Sequence, residues 1–414
     1  MTNVHTLVVG AGQAGLATSR CLHDAGVDHV VLERGRTADR WHGRRWEALR
    51  LLTPNWATRL PAWNSQGSDP DGFMTARELA DHLTAYAESF AAPIEHDSTV
   101  RSITRDGTFA VRTDSATWHA RNVVLATGWC DIAHVPDVAS GLGAEVVQLT
   151  ADTFVSPGHL PPGGVLVVGA SATGVQLADE LARFGRDVVL AVGRQSRLPR
   201  RYRGMDIWWW LERIGTFAAT IDDVSDPYGS RREGAVQLIG RDDHRDVDLS
   251  ALERLGVELT GRLTAIDRTT VRFAGDLRDS AAMVDQRLTR LLDRVDAHAT
   301  LHGLDTEVLA PTRPQATPVG SPRRVLDLRR HGIATVIWST GYRRSTPWLH
   351  LPVFDGTGEI AQRRGITPVD GLYVVGQRFQ HRRDSNFIDG VGHDAAFVAQ
   401  QIAPHLRQRQ PAGR

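Results

Sequence analysis

The chain has 414 residues, 41% of them hydrophobic and 23% charged, with 48 basic residues against 48 acidic. That is a globular composition of about two to three domains, and zero net charge points to no nucleic-acid and no membrane-surface partner. All 48 basic residues are Arg, so a Schiff-base Lys, a pyridoxal-phosphate anchor, a Walker A Lys and a Lys general base are excluded.

In chain order, the sequence opens as strand, turn, helix and strand at 5–10, 11–25 and 28–33. A buried strand ending in a glycine turn follows at 123–128, and the opening pattern recurs at 165–169, 172–184 and 187–192. Helical insertions are expected around 205–214 and 276–302, the second with Met283, Leu288, Leu291, Leu292 and Val295 at helical spacing. The Pro-rich stretch 310–322 reads as a linker or surface loop. Residues 336–341 repeat the strand and glycine turn, 371–376 form another buried strand, a helix is expected over 390–402, and the chain past His405 is expected to fray. Such alternation gives an α/β fold with two Rossmann-like dinucleotide-binding domains. Residues 1–155 and 336–414 make up the first, and 156–335 form the second, inserted within it.

Gly10-x-Gly12-x-x-Gly15 sits between a strand and a helix, and Glu33 ends the next strand. The first Gly permits the tight turn, the second lets a pyrophosphate approach the backbone, and the third lets helix and strand pack closely. The helix N-terminus then faces phosphate charge, and Glu33 is placed to accept from a ribose hydroxyl. The second turn, Gly169-x-Ser171-x-x-Gly174, keeps a small residue in the middle, but its next strand leads to Arg194 and Arg197 instead of an acid. Guanidinium groups there favour a 2′-phosphate, hence NADPH at the second site. A Glu-terminated site with an NADPH site inserted after it is the layout of FAD enzymes that a nicotinamide reduces.

These turns, Ala126-Thr127-Gly128, Ser339-Thr340-Gly341-Tyr342 and Arg40-Trp41-x-x-x-x-Trp46 resemble the flavin-containing monooxygenase and Baeyer–Villiger monooxygenase superfamily. Within it, the chain is similar to a bacterial CzcO-like oxidoreductase subgroup labelled as involved in potassium transport. The resemblance implies a glutathione-reductase-like pair of domains. It also implies FAD held by Gly10, Gly12, Gly15, Glu33, Arg34, Trp41 and Trp46, with Val100 near the adenine, Thr127 and Gly128 beside the phosphates, and Gly376 and Asp389 against the flavin end. Asn55 falls where the monooxygenases place an Asn over the flavin, to help stabilise an oxygen adduct at C4a. The FxGxxxHxxx(F/Y/W) fingerprint is not carried, since Ala144, Val146, Thr150 and Phe154 stand at its spacing and only the aromatic survives.

The expected activity is an NADPH-dependent FAD monooxygenase acting with O2 on a small organic substrate, with no triad or carboxylate dyad required. Two alternatives stand beside it: a reductase that passes electrons on without inserting oxygen, and a redox-sensing regulatory flavoprotein. Cys21 and Cys130 are too few and too far apart for a disulfide framework and fit a cytoplasmic protein. The 17 His residues show no HExxH or paired Cys/His spacing, so no metal is expected. Trp208-Trp209-Trp210 cannot all face one core, so at least one indole lines an interface or a pocket. Neither the substrate nor the oligomeric state, a homodimer included, is fixed by the sequence.

Overall fold

The structure, a computed structural model, describes residues 2–65 and 67–403; the fraying expected past His405 lies outside them. Two mainly parallel sheets carry the architecture. In the first, strands Ile94–Glu95, His29–Leu32, Thr2–Val9 and Thr117–Leu125 lie side by side. Thr117–Leu125 then divides its far edge, taking Thr108–Thr113 antiparallel along its first half and Leu372–Val374 parallel along its second. The parallel strands are covered on both faces, which is why they read as unbroken apolar runs: Leu7, Val8, Val123, Val124 and Val374 are all fully buried.

The second sheet runs Glu258–Thr260, Val188–Ala191, Gly164–Val168, Ile333–Trp338 and Val147–Thr150, every pair parallel. Strands 147–150 and 333–338 therefore hydrogen bond in the second sheet although the sequence division placed all or part of each in the first domain. We place the division instead in the antiparallel ribbon Ile132–Ala133 with Tyr342–Arg343, where the two chain crossings run beside each other.

Helix Gln13–Asp24 packs with Val391–Ile402 and with a helix the sequence reading passed over, Ala76–Ser89, in one core containing Leu16, Leu79, Leu83, Tyr86, Val391 and Val398. The signal for the missed helix was present. Thr75 Oγ1 accepts from Glu78 N at 3.2 Å while Glu78 Oε2 accepts from Thr75 N at 2.7 Å, a capping box. Leu79, Leu83 and Tyr86 then follow at intervals of four and three, each contributing about 1.5–3 kcal/mol by burial.

The long insertion helix, Leu277–Leu301, buries Leu277, Ala281, Val284, Leu288, Leu292, Val295 and Ala299. Met283, expected on that face, is instead 53% exposed. Its neighbour Ile207–Arg213 buries Trp208 and Trp210. Among the described residues no helix is long and apolar enough to cross a membrane.

Candidate functional site

The two glycine turns have the same build. Gly10 has φ +106° and Gly169 φ +104°, and a Cβ on either would lie 2.8 Å from Ala126 O or 2.5 Å from Ser339 O. In both sheets that contact joins the strand before the turn to the strand on its other side, which is the point where the strand order reverses. Ligands of open α/β sheets bind at this crevice, outside the carboxyl ends of the strands. A Cβ on Gly15 would stand 1.7 Å from Gly10 O, and one on Gly174 1.7 Å from Gly169 O, so helix and strand approach only because no side chain intervenes. Gly12 (φ −86°, ψ −173°) and Ser171 (φ −81°, ψ −173°) open helices Gln13–Asp24 and Ala172–Arg183, neither with a side-chain cap or an acid in its first turn. Their first N–H groups and dipoles are therefore directed at whatever anion enters.

Around the first turn, Glu33 is buried and its Oε2 accepts from Ala11 N at 2.6 Å, which sets the carboxylate beside the turn. Arg34 is half-exposed and pairs with Asp131 at 3.7 Å. Thr127 and Gly128 (φ +73°) leave strand 117–125 at the same edge. Gly376 (φ +83°) leaves strand 372–374 there too, and a Cβ on it would meet Ala14 Cβ at 2.6 Å, so the chain crosses directly over the N-terminus of helix 13–24. Val100 begins a strand, Val100–Asp106, and is half-buried. Trp41 packs on the first core under the Arg45 guanidinium, 5.0 Å from its ring centroid.

Several expected ligand contacts are differently employed. Trp46 is 2% exposed and packs with Phe154, Val165, Val167 and Val175 in the core of the second domain. The segment that carries it, although early in sequence, lies against the other sheet, so Trp46 is a packing residue and not a cofactor contact. Arg197 is buried, with Nε and Nη2 on Asp248 at 2.7 Å and Nη1 on Asp285 at 2.8 Å and Gln315 O at 2.9 Å. Two carboxylates already satisfy it, because the short strand Ser196–Arg197 turns its side chain inward. Arg194 is exposed and has no ion pair among the described residues, leaving it as the cation that follows strand Val188–Ala191. Asn55 donates through Nδ2 to Asp69 O at 2.9 Å and accepts at Oδ1 from Met74 N at 3.0 Å. Both ends of its amide hold the 69–74 loop, which leaves one Nδ2 hydrogen for any other partner.

Two further clusters are formed by residues distant in sequence. At the ribbon, Asp152 accepts from Arg40 Nη2 at 2.9 Å and from Tyr342 Oη at 2.8 Å, with Arg45 Nη1 at 3.5 Å. Trp129 and Tyr342, each following a Thr-Gly at a chain crossing, meet edge to face at 6.3 Å. On the far side, Asp389 is gripped by Arg59 through Nε at 2.6 Å and Nη2 at 2.7 Å, and the same Nη2 reaches Glu212 at 2.7 Å. Burial raises the Asp389 pKa and Arg59 holds it back. Trp208 stacks on Phe217 (4.6 Å) and Phe387 (5.4 Å), joining the insertion to the loop before helix 391–402, which is the interface expected of one of the three indoles. Trp210 Nε1 instead donates to Tyr202 O at 2.8 Å. Gln377 Oε1, Gln380 Nε2 and Asp394 Oδ2 are buried without a partner in the loop and helix that cross the first turn. Burial also pushes the Asp394 carboxyl up to about 6.

A family model described as pyridine nucleotide-disulphide oxidoreductase matches residues 7–211. The chain is 29% identical over 406 residues to "Uncharacterized oxidoreductase CzcO-like" of Geobacillus kaustophilus, with 97% of this chain and 99% of the relative covered. Among solved structures, a flavin-containing monooxygenase from Stenotrophomonas maltophilia superposes with a TM-score of 0.68 at 18% identity, covering 98% of this chain and 100% of that one. A structure titled OTEMO complex with FAD and NADP superposes at 0.55 and 14% identity, covering 98% and 86%. In fold, then, the chain is similar to flavin-containing monooxygenases.

The chain has no thiol suited to disulfide exchange. Both cysteines are free, and burial pushes Cys21 up to about 12 and Cys130 up to about 11, so both stay protonated and poorly nucleophilic near neutrality. The expectation of no metal-type His spacing misses one HxxxH pair, His298 and His302, whose ring centroids lie 4.2 Å apart at the C-terminal end of helix 277–301. Among the described residues no group of three or more His, Cys, Asp or Glu could hold a metal.

Glu180, on helix 172–183, is pushed up to about 7 by burial, with the nearby Trp46 indole holding the rise back although neither Trp46 Nε1 nor Glu180 Oε2 reaches a partner at hydrogen-bond distance. Between the ordinary glutamate range and about 7 the folded state therefore holds a proton that the unfolded chain has lost, and stability falls as pH rises through that window. Glu180→Gln should accordingly gain thermal stability over the unsubstituted protein at pH 8 and match it at pH 4. A gain independent of pH would show that this carboxyl ionises normally.

Proposed function

We propose that the chain binds FAD at the Gly10–Gly15 turn and NADPH at the Gly169–Gly174 turn, and that it is a flavin-dependent monooxygenase of a small organic substrate. The observation that carries this reading is the duplicated cradle: two turns of one geometry, each at the reversal of a parallel sheet, joined by the 132–133/342–343 ribbon. The residues fit the groups. Gly12 faces open space with no atom within 4 Å of a Cβ built on it, and Glu33 stands beside the turn. FAD, when bound, accepts a hydride from NADPH and reacts with O2. The protein's part is to bind, orient and exclude water. The N–H groups after Gly12 and Ser171 hold phosphates, Glu33 accepts from a ribose hydroxyl, and Arg194 meets a 2′-phosphate. Arg59 grips the half-buried Asp389 through two nitrogens and so positions it at the loop crossing the first turn.

Oxygen insertion is tested by mixing the NADPH-reduced protein with O2 and following flavin absorbance while measuring H2O2. Return of the oxidised spectrum through a resolved second phase supports the monooxygenase, whereas a single-phase return with stoichiometric H2O2 sinks it. The absent fingerprint favours the second reading, a reductase that donates electrons to an organic acceptor. Arg194→Ala should raise the KM for NADPH roughly tenfold to hundredfold, the loss of one charge-assisted contact, and leave that for NADH nearly unchanged. Equal effects on both would remove Arg194 from the 2′-phosphate.

A further inference from the structure

The two cradles differ in one respect. Nothing lies within 4 Å of a Cβ built on Gly12, but in the second turn Ser171 Oγ would stand 2.9 Å from a Cβ on Gly234, and Arg194 O 3.4 Å from it. The middle residue of such a turn points at the pyrophosphate position, so Gly234 stands on the approach a dinucleotide diphosphate must take. Gly234 belongs to a strap running from helix Pro227–Arg231 to strand Val236–Gln237. At its end the strap is fixed to the second domain. Strand 236–237 pairs with 196–197, and the buried Gln237 donates through Nε2 to Ala170 O, within the turn itself, at 2.8 Å.

The preceding residue is held from the other domain. Arg383 Nη1 donates to Glu233 Oε2 at 2.8 Å, and Arg378 Nη2 donates to Glu233 O. Arg231 Nε adds a contact to Phe379 O at 3.4 Å. Both arginines rise from the 376–383 loop that begins with Gly376 above the first turn, and each is braced on an aromatic ring, Arg378 over Trp129 and Arg383 over Phe379, at 4.8 Å in both cases. The loop is also fixed in shape, since Phe379 holds φ +45°, a conformation rare for a bulky residue. Two braced guanidiniums therefore project from the flavin side of the crevice onto an acid and a carbonyl one residue before Gly234, which lies against Ser171 of the second turn.

We propose that Glu233 is an internal stand-in for the dinucleotide diphosphate, and that Arg378 and Arg383 exchange it for the coenzyme's phosphates when the strap lifts from Ser171. This rests on the second turn being the NADPH site. The ion pair is weak enough to exchange: Arg383 and Glu233 are 31% and 52% exposed, and exposed pairs contribute about 0–1 kcal/mol. The coenzyme offers the same guanidiniums a doubly charged partner with better geometry for a planar donor. The exchange would bring a contact from the first domain onto the ligand of the second, so that coenzyme binding itself draws the two cradles together.

The test is NADP+ binding to the oxidised, flavin-loaded protein by calorimetry, with hydrogen exchange of peptides spanning 224–237. Glu233→Gln removes the competitor and should tighten NADP+ binding about two- to fivefold, the range set by an exposed pair. Arg383→Gln should weaken it by a similar factor, and Arg378→Gln by more. Exchange in the strap should rise in Glu233→Gln without ligand and change on adding NADP+ to the unsubstituted protein. Unchanged or weaker binding in Glu233→Gln, with normal binding by the unsubstituted protein, would overturn the stand-in and leave the NADPH reading intact. NADP+ binding to neither protein at millimolar concentration would overturn both, whereas binding only to Glu233→Gln would support the stand-in strongly.

Discussion

Gly15→Ala is expected to give a colourless protein, whereas Gly174→Ala is expected to stay yellow and refuse electrons from NADPH. The two substitutions are sterically equivalent, since each places a methyl carbon 1.7 Å from a backbone carbonyl oxygen, Gly10 O in one case and Gly169 O in the other. No rotamer relieves a Cβ clash against backbone, so the helix must withdraw from its strand by more than an ångström. Such overpacking costs about 1–3 kcal/mol in itself, and it also moves the helix N–H groups off the phosphates they would hold. The damage should therefore fall on a different ligand in each variant. Flavin content from the absorbance spectrum, anaerobic reduction by NADPH and anaerobic reduction by dithionite separate them. Gly174→Ala should bleach with dithionite at the normal extent and with NADPH at least a hundredfold more slowly. Far-UV circular dichroism shows whether either variant keeps its fold, and a folded, yellow Gly15→Ala would end the assignment of FAD to the first turn. If Gly174→Ala were folded and colourless instead, the two sites would have been assigned in the wrong order.

What the sequence disclosed and what it withheld divide along physical lines. The glycine turns were legible because a positive φ at Gly10 and Gly169 and the close approaches at Gly15 and Gly174 admit no other residue. The doubly covered strands were legible because burial on both faces writes an unbroken apolar run. Direction and partnership left no such trace. Nothing in the spacing of Arg194 and Arg197 says that the first points to solvent and the second between Asp248 and Asp285. Trp46 follows the FAD-type turn in sequence, yet its segment docks on the second domain. Gly240 there is held so close to Leu51 O that a Cβ would stand 2.1 Å away, and the buried Arg200 donates to Leu52 O at 2.7 Å. Asn55 resembled a catalytic residue by alignment and is a loop clamp by hydrogen bonding. The ribbon cluster was invisible because its side chains come from residues 40, 45, 152 and 342, brought together only when the chain crosses between sheets twice.

That cluster sets the second large expectation: Asp152→Asn should loosen the junction between the domains more than any other single charge removal there. Arg40, Arg45 and Asp152 have side chains only 19%, 12% and 14% exposed. Arg40 Nε and Arg45 Nε are already buried without partners, so Asp152 supplies the carboxylate both guanidiniums face. With the charge removed, two largely buried cations oppose each other across one amide, and Tyr342 Oη loses its ionised acceptor. Breaking a buried pair by removing one partner costs about 3–5 kcal/mol. Because these groups keep some contact with water, the low end, about 3 kcal/mol, is the better expectation. At about 2–4 °C per kcal/mol for domains of this size, the midpoint of thermal flavin release should fall by roughly 6–12 °C. The effect on turnover should lie in the rate constant of flavin reduction by NADPH and much less in its KM, because Asp152 fixes the angle between the cradles and touches neither phosphate turn. The double variant Asp152→Asn with Arg45→Met removes the surplus cation and should recover part of the lost midpoint. A midpoint within about 1 °C of the unsubstituted protein, with unchanged reduction kinetics, would show that the ribbon and the packing around it orient the domains without this ion cluster.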